Sequence, residues 1–158
     1  MPSTFFVDPA SIDLDRMEYT IEQIREYIPQ RYEFEQLTSI LSFRPEEKIV
    51  VGLREVRHDE FWVRGHIPGR PLFPGVLMIE AAAQLCSFYS GKTVGHEHFF
   101  GFGGIDGARF RGTVEPGDKL VLLASPRTLK KSGSLFDTQG IVGGKLVFEA
   151  TILGVRIS

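Results

Sequence analysis

Cysteine is almost missing from this chain: Cys86 is the only one, so no intrachain disulfide can form, and a reducing compartment suits it. A basic excess is missing too. The 18 Lys and Arg stand against 20 Asp and Glu, a net charge of −2, which argues against a nucleic-acid partner because a phosphate backbone selects an electropositive patch. No apolar run reaches the roughly 18 residues that a membrane span needs. The N-terminus, Met-Pro-Ser-Thr-Phe-Phe-Val-Asp, has no basic stretch leading into a long apolar one, so a cytoplasmic location is expected. A chain of 158 residues, 42% hydrophobic and 24% charged, has material for one core and no break in composition that would divide it.

Familiar ligand motifs are equally thin. His96 and His98 flank Glu97 and would share a strand face, but two imidazoles without a third ligand make a weak metal site. The glycines of Gly101-Phe102-Gly103-Gly104-Ile105-Asp106-Gly107 are not followed by a helix, as a nucleotide loop requires, because Ala108-Arg109-Phe110-Arg111 continues in strand style. His58 lies in the polar run Arg57-His58-Asp59-Glu60, read as an exposed turn. No metal and no cofactor are expected.

What is present is concentrated between Gly65 and Gln84. From Val76 to Tyr89 nothing breaks a helix; Pro74 and Gly75 stand at its start and Gly91 is placed to end it. Its circumference is apolar apart from Glu80, Gln84 and Ser87, which marks a helix wrapped inside a fold. Glu80 is therefore expected to lose water. Burial disfavours the charged carboxylate and raises its pKa, which suits a general acid. Gln84, one turn on, can orient it. The single thiol of Cys86, on the same helix, reads as core packing rather than as a nucleophile.

His66 precedes Pro68, Gly69, Pro71, Pro74 and Gly75, a stiff and sharply turned segment that can aim an imidazole as a base. The first N–H groups of the helix, at Gly75 and Val76, have no partner within it and can hold a developing oxyanion. A base, an acid and an oxyanion site together suit proton removal next to a thioester or other carbonyl, with loss or gain of a group one carbon further out.

These residues also carry a resemblance. The histidine before Pro68 and Pro71, the Phe73-Pro74-Gly75-Val76-Leu77 helix start, Glu80 fourteen residues past His66, and Gln84 resemble the active-site signature of the 3-hydroxyacyl-[acyl-carrier-protein] dehydratases of type II fatty-acid synthesis. Matches continue at Ile28-Pro29-Gln30-Arg31-Tyr32-Glu33-Phe34, Gly104–Phe110, Val114–Asp118 and Gly144–Ala150, covering roughly residues 24 to 153. Glutamate at position 80 resembles the housekeeping branch of that family; the dehydratase/isomerase branch carries aspartate. Departures from the family pattern fall at Gln30, Glu33, Thr38-Ser39 and Ile67.

The resemblance implies a hot-dog fold and a homodimer with shared active sites, extending in some members to a hexameric trimer of dimers. It further implies acyl carrier protein as partner and His66 of one subunit facing Glu80 of the other. It would make Ile67, Phe73, Pro74, Phe100 and Phe102 substrate-tunnel residues, although an aromatic cluster in a strand also reads as core. Arg109 and Arg111 on one strand face, with Arg127, Lys130 and Lys131 near a turn, form either a docking patch for an acidic carrier or a solvated face. A thioesterase and a non-catalytic acyl-binding protein are the rival functions.

The remaining chain is strand-like. A short helix is expected over Tyr19–Ile28 after a loose N-terminal extension of residues 1–20, with one domain over 21–158. Strands are expected over Lys48–Val56, Phe61–Gly65, Phe99–Phe110, Lys119–Leu129, Ser134–Val142 and Lys145–Ile157, the last two joined by a tight Gly143-Gly144 hairpin. The expected class is α+β: an antiparallel sheet wrapped around one buried helix.

Overall fold

In the computed structural model, which describes residues 4–97 and 99–157, six strands form one antiparallel sheet. They are β1 (Ser39–Arg44), β2 (Ile49–Glu55), β3 (Phe100–Phe110), β4 (Lys119–Lys130), β5 (Gly133–Val142) and β6 (Lys145–Arg156), in the order β1-β2-β4-β5-β6-β3. A four-residue helix α1 (Ile21–Ile24) precedes the sheet, and α2 (Gly75–Val94) interrupts it.

The pattern of β4 explains the layering. Leu120, Leu122 and Ala124 point to one face and Val121 and Leu123 to the other, yet all five are buried, so both faces need cover. On the inner side Leu85, Phe88 and Tyr89 of α2 pack with Leu120, Leu122, Phe136 and Phe148. On the outer side Val121 and Leu123 join Leu41, Val51 and Ile141, where Phe5, Val7 and Ile12 lie over them. The segment expected as a loose extension thus lies on the sheet. Gln139 ties it down, accepting from the Phe6 N–H at 3.0 Å and donating to the Thr4 carbonyl at 2.8 Å.

Several boundaries differ from those expected. The Phe61–Gly65 segment is a run of turns: His66 N–H bonds the Trp62 carbonyl at 2.8 Å and Val63 N–H bonds Glu60 at 3.1 Å, so its backbone bonds stay local. Strand β1 was not expected; its apolar run is short, and a bulge between Ile40 and Ser42 breaks its register with β2. Helix α1 is shorter than Tyr19–Ile28, opened by Thr20, whose hydroxyl accepts from Gln23 N–H in a reciprocal capping box.

Helix α2 runs through Gly91 to Val94, and the positive φ at its end belongs to Gly95 (106°). Gly91 serves close packing instead, since a Cβ there would stand 3.2 Å from the Tyr27 carbonyl oxygen. The β5–β6 hairpin turns as its sequence demands. Val142 pairs with Lys145 around Gly143 and Gly144 at φ 56° and 78°, the left-handed pair of a two-residue turn.

Candidate active site

Glu80 lies a turn and a half into α2, half-buried among apolar neighbours. Loss of water drives its carboxyl above the ordinary carboxylate range, only partly offset by a hydrogen bond from Gln84. The Gln84 side chain is buried and fully committed: Nε2 donates to Glu80 Oε2 at 2.9 Å and to the Phe34 carbonyl at 2.8 Å, while Oε1 accepts the Gln36 N–H at 3.0 Å. These three contacts fix which end of the amide faces the acid.

His66 is half-buried at the end of the turn segment. Its Nδ1 is 2.7 Å from the Leu72 carbonyl oxygen. A carbonyl only accepts, so Nδ1 carries a proton, and in the neutral ring Nε2 is the nitrogen able to act as base. Ile67 follows at φ 60°, a left-handed conformation that a β-branched residue rarely adopts. Strain therefore sits beside the imidazole, in a loop closed by an Arg70 N–H to Ile67 carbonyl bond of 2.9 Å.

At the start of α2 Pro74 is extended, and the first helical bonds run from Leu77 and Met78 to its carbonyl. The N–H groups of Gly75 and Val76 precede those bonds and have no acceptor one turn back in the helix. Val76 is 72% exposed. The reason for glycine at 75 is steric: a Cβ there would lie 2.9 Å from the Phe110 ring, which is itself half-exposed on β3.

The cavity beside Glu80 is lined by Gln84 and Ser87 of α2, Phe100 and Phe102 of β3, Leu153 of β6, and Gln30, and holds about 80 Å3. A second hollow shares Gln30, Ser87 and Phe100 with it and continues past Gly91 to Tyr27. His66 lines neither. Of the other residues expected at a tunnel, Ile67 is half-exposed and Pro74 caps the helix. Phe73 is buried, edge-on to Trp62 with ring centroids 5.4 Å apart.

The basic residues do not gather. Arg109 and Arg111 stand at one end of β3, where Arg111 pairs with Glu149 at 2.5 Å and Arg109 donates to the Ala108 carbonyl. Lys130 is aligned across β5 and β6 with Gly101, at the other end. Eight residues of strand separate the two rows, about 25 Å. His98 lies outside the described residues; His96 packs edge-on against Tyr27 at 5.3 Å. Cys86 is buried, which pushes its thiol pKa up and leaves it inert.

Sequence reading missed Gln36, Arg54, Glu60 and Trp62, which the structure links to both halves of the site. Glu60 belongs to the run read as an exposed turn, and indeed Arg57, His58 and Asp59 are exposed, but its own side chain is 6% exposed. The available signal was Arg54 itself, a cation at an inward position of a strand otherwise reading Ile-Val-Val-Gly-Leu.

A FabA-like domain matches residues 28–151. The chain is 37% identical over 139 residues to the 3-hydroxyacyl-[acyl-carrier-protein] dehydratase FabZ of Cronobacter sakazakii, covering 86% of this chain and 91% of that one. It is 39% identical over 137 residues to the bifunctional enzyme LpxC/FabZ of Chlorobaculum tepidum, covering 85% of this chain and 29% of that longer one. Among solved structures the dehydratase heterocomplex ApeI:P of Xenorhabdus doucetiae superimposes with a TM-score of 0.73 at 14% identity, covering 85% and 91% of the two chains. A hypothetical thioesterase with coenzyme A from Streptococcus pneumoniae gives 0.57 at 11%, covering 76% and 85%. At such identities the structures speak for the fold, which is the hot-dog. Among the described residues no helix is long and apolar enough to cross a membrane. By a domain match over most of its length and by its identity to curated relatives, this chain belongs to the FabA-like family of hot-dog proteins.

Proposed function

We propose that the protein is a hydro-lyase of fatty-acid biosynthesis, interconverting (3R)-3-hydroxyacyl and trans-2-enoyl thioesters on acyl carrier protein, without a cofactor. The observation that carries this is the Glu80 carboxyl, half-buried beside Gln84 with its pKa raised by loss of water, in a family whose curated relatives bear the dehydratase name. In the forward direction His66 Nε2 removes the proton from C2. The electron pair moves toward the thioester carbonyl, whose oxygen is held by the N–H groups of Gly75 and Val76. It then returns to form the C2–C3 double bond as the C3–O bond breaks. Glu80 gives its proton to the leaving hydroxyl, which departs as water. Gln84 keeps Glu80 aimed.

A homodimer is the working unit of this reading. The cavity of about 80 Å3 beside Glu80 is too small for an acyl thioester and lacks His66, while β3 is an edge strand with Phe102 and Phe110 half-exposed. A second copy laid against that edge would enlarge the tunnel and bring its own His66 toward Glu80. The test is turnover of purified protein with a 3-hydroxyacyl thioester, following enoyl absorbance and free thiol together, in wild type, His66→Ala and Glu80→Gln. Enoyl product in wild type alone, with no thiol freed, is the expected result. Thiol release would place the protein among thioesterases, and tight binding without turnover among acyl-binding proteins.

A further inference from the structure

Arg54 on β2 and Glu60 in the following turn form an ion pair inside the protein, their side chains 4% and 6% exposed. Each charge is satisfied from several sides. Arg54 also donates to Gln36 Oε1 at 2.9 Å and to the Glu55 carbonyl at 2.7 Å, and its guanidinium lies 4.8 Å from the centre of the Phe73 ring. Glu60 accepts from the Arg57 N–H at 2.6 Å and from Trp62 Nε1 at 3.0 Å.

Two routes leave this pair, one to each half of the site. Through Gln36, whose backbone N–H meets Gln84 Oε1 at 3.0 Å, it reaches the amide that holds Glu80. Through Trp62, whose carbonyl accepts the His66 N–H at 2.8 Å, it reaches the base. Phe73, pressed against Arg54, immediately follows Leu72, whose carbonyl holds His66 Nδ1. Stability alone does not explain the arrangement, because a buried ion pair is often replaced by apolar residues of similar volume at no cost to folding. Apolar side chains, however, cannot aim four directional hydrogen bonds at once.

We propose that the Arg54–Glu60 pair is a positioning device that holds the acid clamp and the base loop of one chain in a fixed relation. It touches no reacting atom and acts through Gln36–Gln84 on one side and Trp62–His66 on the other. The proposal rests on the assignment of His66 and Glu80 above.

Its test is the apolar double variant Arg54→Met/Glu60→Leu, beside the single Trp62→Phe and the controls His66→Ala and Glu80→Gln. The double variant is expected to unfold near the wild-type temperature, with kcat about 10- to 100-fold lower and KM within a few-fold, since small misplacement of reacting groups costs rates of that order. A folded double variant with wild-type kcat overturns the proposal. Should the double variant fail to fold, Trp62→Phe decides, because it deletes the indole N–H that meets Glu60 while keeping an aromatic ring, though a smaller one, against Phe73. In that variant kcat falls several-fold, and nitrogen NMR of the His66 ring shows a mixture of tautomers in place of the single Nδ1–H form. An unchanged kcat with one tautomer overturns the proposal. Wild-type turnover in His66→Ala or Glu80→Gln would instead overturn the assignment beneath it, so the two failures are distinguishable.

Discussion

Gln84 gives its amide N–H to Glu80 Oε2 from one helical turn away, at 2.9 Å, so one carboxyl oxygen is held and the other is left to the cavity. The same amide is anchored to Phe34 and Gln36, outside the helix. The acid is thus aimed by a group that cannot turn without breaking two further bonds.

Replacing Glu80 by Gln keeps an acceptor for Gln84 and removes the proton donor. Turnover is expected to fall about 10²- to 10⁴-fold. Stability should move the other way. The folded state raises the Glu80 pKa, so between its unfolded and folded values the folded form holds more protons, and stability declines as pH rises through that window. Glu80→Gln abolishes the decline. Thermal unfolding at acidic and at alkaline pH checks this: the variant should gain on wild type only on the alkaline side. For wild type, kcat should fall on the same alkaline limb, as the acid loses its proton, and that limb should be absent from the residual rate of the variant.

The strained backbone at Ile67 gives a second expectation. Asparagine tolerates φ near 60° far better than a β-branched residue, and left-handed strain in such residues costs on the order of 1–3 kcal/mol. Because Ile67 is half-exposed, Ile67→Asn forfeits little burial in the single chain and should raise the unfolding midpoint. Turnover should drop, since the stiff loop holding His66 relaxes. A lowered midpoint would mean that Ile67 is buried against another subunit and that the strain is offset there.

The proposed site gives carrier docking a direction along the sheet. Helix α2 runs from Phe110, packed on Gly75, toward Phe100 and Phe102 beside Ser87. With the thioester oxygen at the Gly75 N–H, as proposed, the thioester end would lie at the Arg109 end of β3 and the acyl tail would point to the other. Arg109→Glu should therefore raise KM for a carrier-bound substrate by several-fold while leaving a coenzyme A thioester unaffected, and added salt should mimic it. Lys130→Glu/Lys131→Glu should change neither. Equal effects of both charge reversals on carrier-bound substrate would refute this orientation.

The helix and the burial of Glu80 were legible because α2 carries apolar residues around most of its circumference, so a carboxylate there must lose water. The Gly143-Gly144 hairpin was legible because its turn chemistry is local. By contrast, Phe61-Trp62-Val63 looks like strand but turns, because Glu60 draws the Arg57 N–H and the Trp62 indole to itself and no neighbouring strand competes. Gln36 and Arg54 escaped notice for a related reason. Their meaning lies in contacts across 18 and 48 residues of chain, which no local pattern records. Phe73 reads as a tunnel residue from its place in the motif, yet Arg54 and Trp62 enclose it.

Close packing at the helix start supplies the last test. A Cβ on residue 75 would stand 2.9 to 3.2 Å from three carbons of the Phe110 ring, nearer than real contacts allow, so either the ring or the helix start must move. Phe110, half-exposed on an edge strand, can give way in part, which leaves the rest of the shift to the helix start. Gly75→Ala should then fold, lose about 10- to 100-fold in kcat as the first N–H groups shift from the thioester oxygen, and leave the pH dependence of Glu80 as it was. Phe110→Leu deletes the clashing ring edge. Placed on top of Gly75→Ala, it should restore much of the lost rate, a non-additivity expected of two groups that share one space. If the two substitutions simply multiply, the glycine is needed for the approach of the thioester itself rather than for the fit of the Phe110 ring.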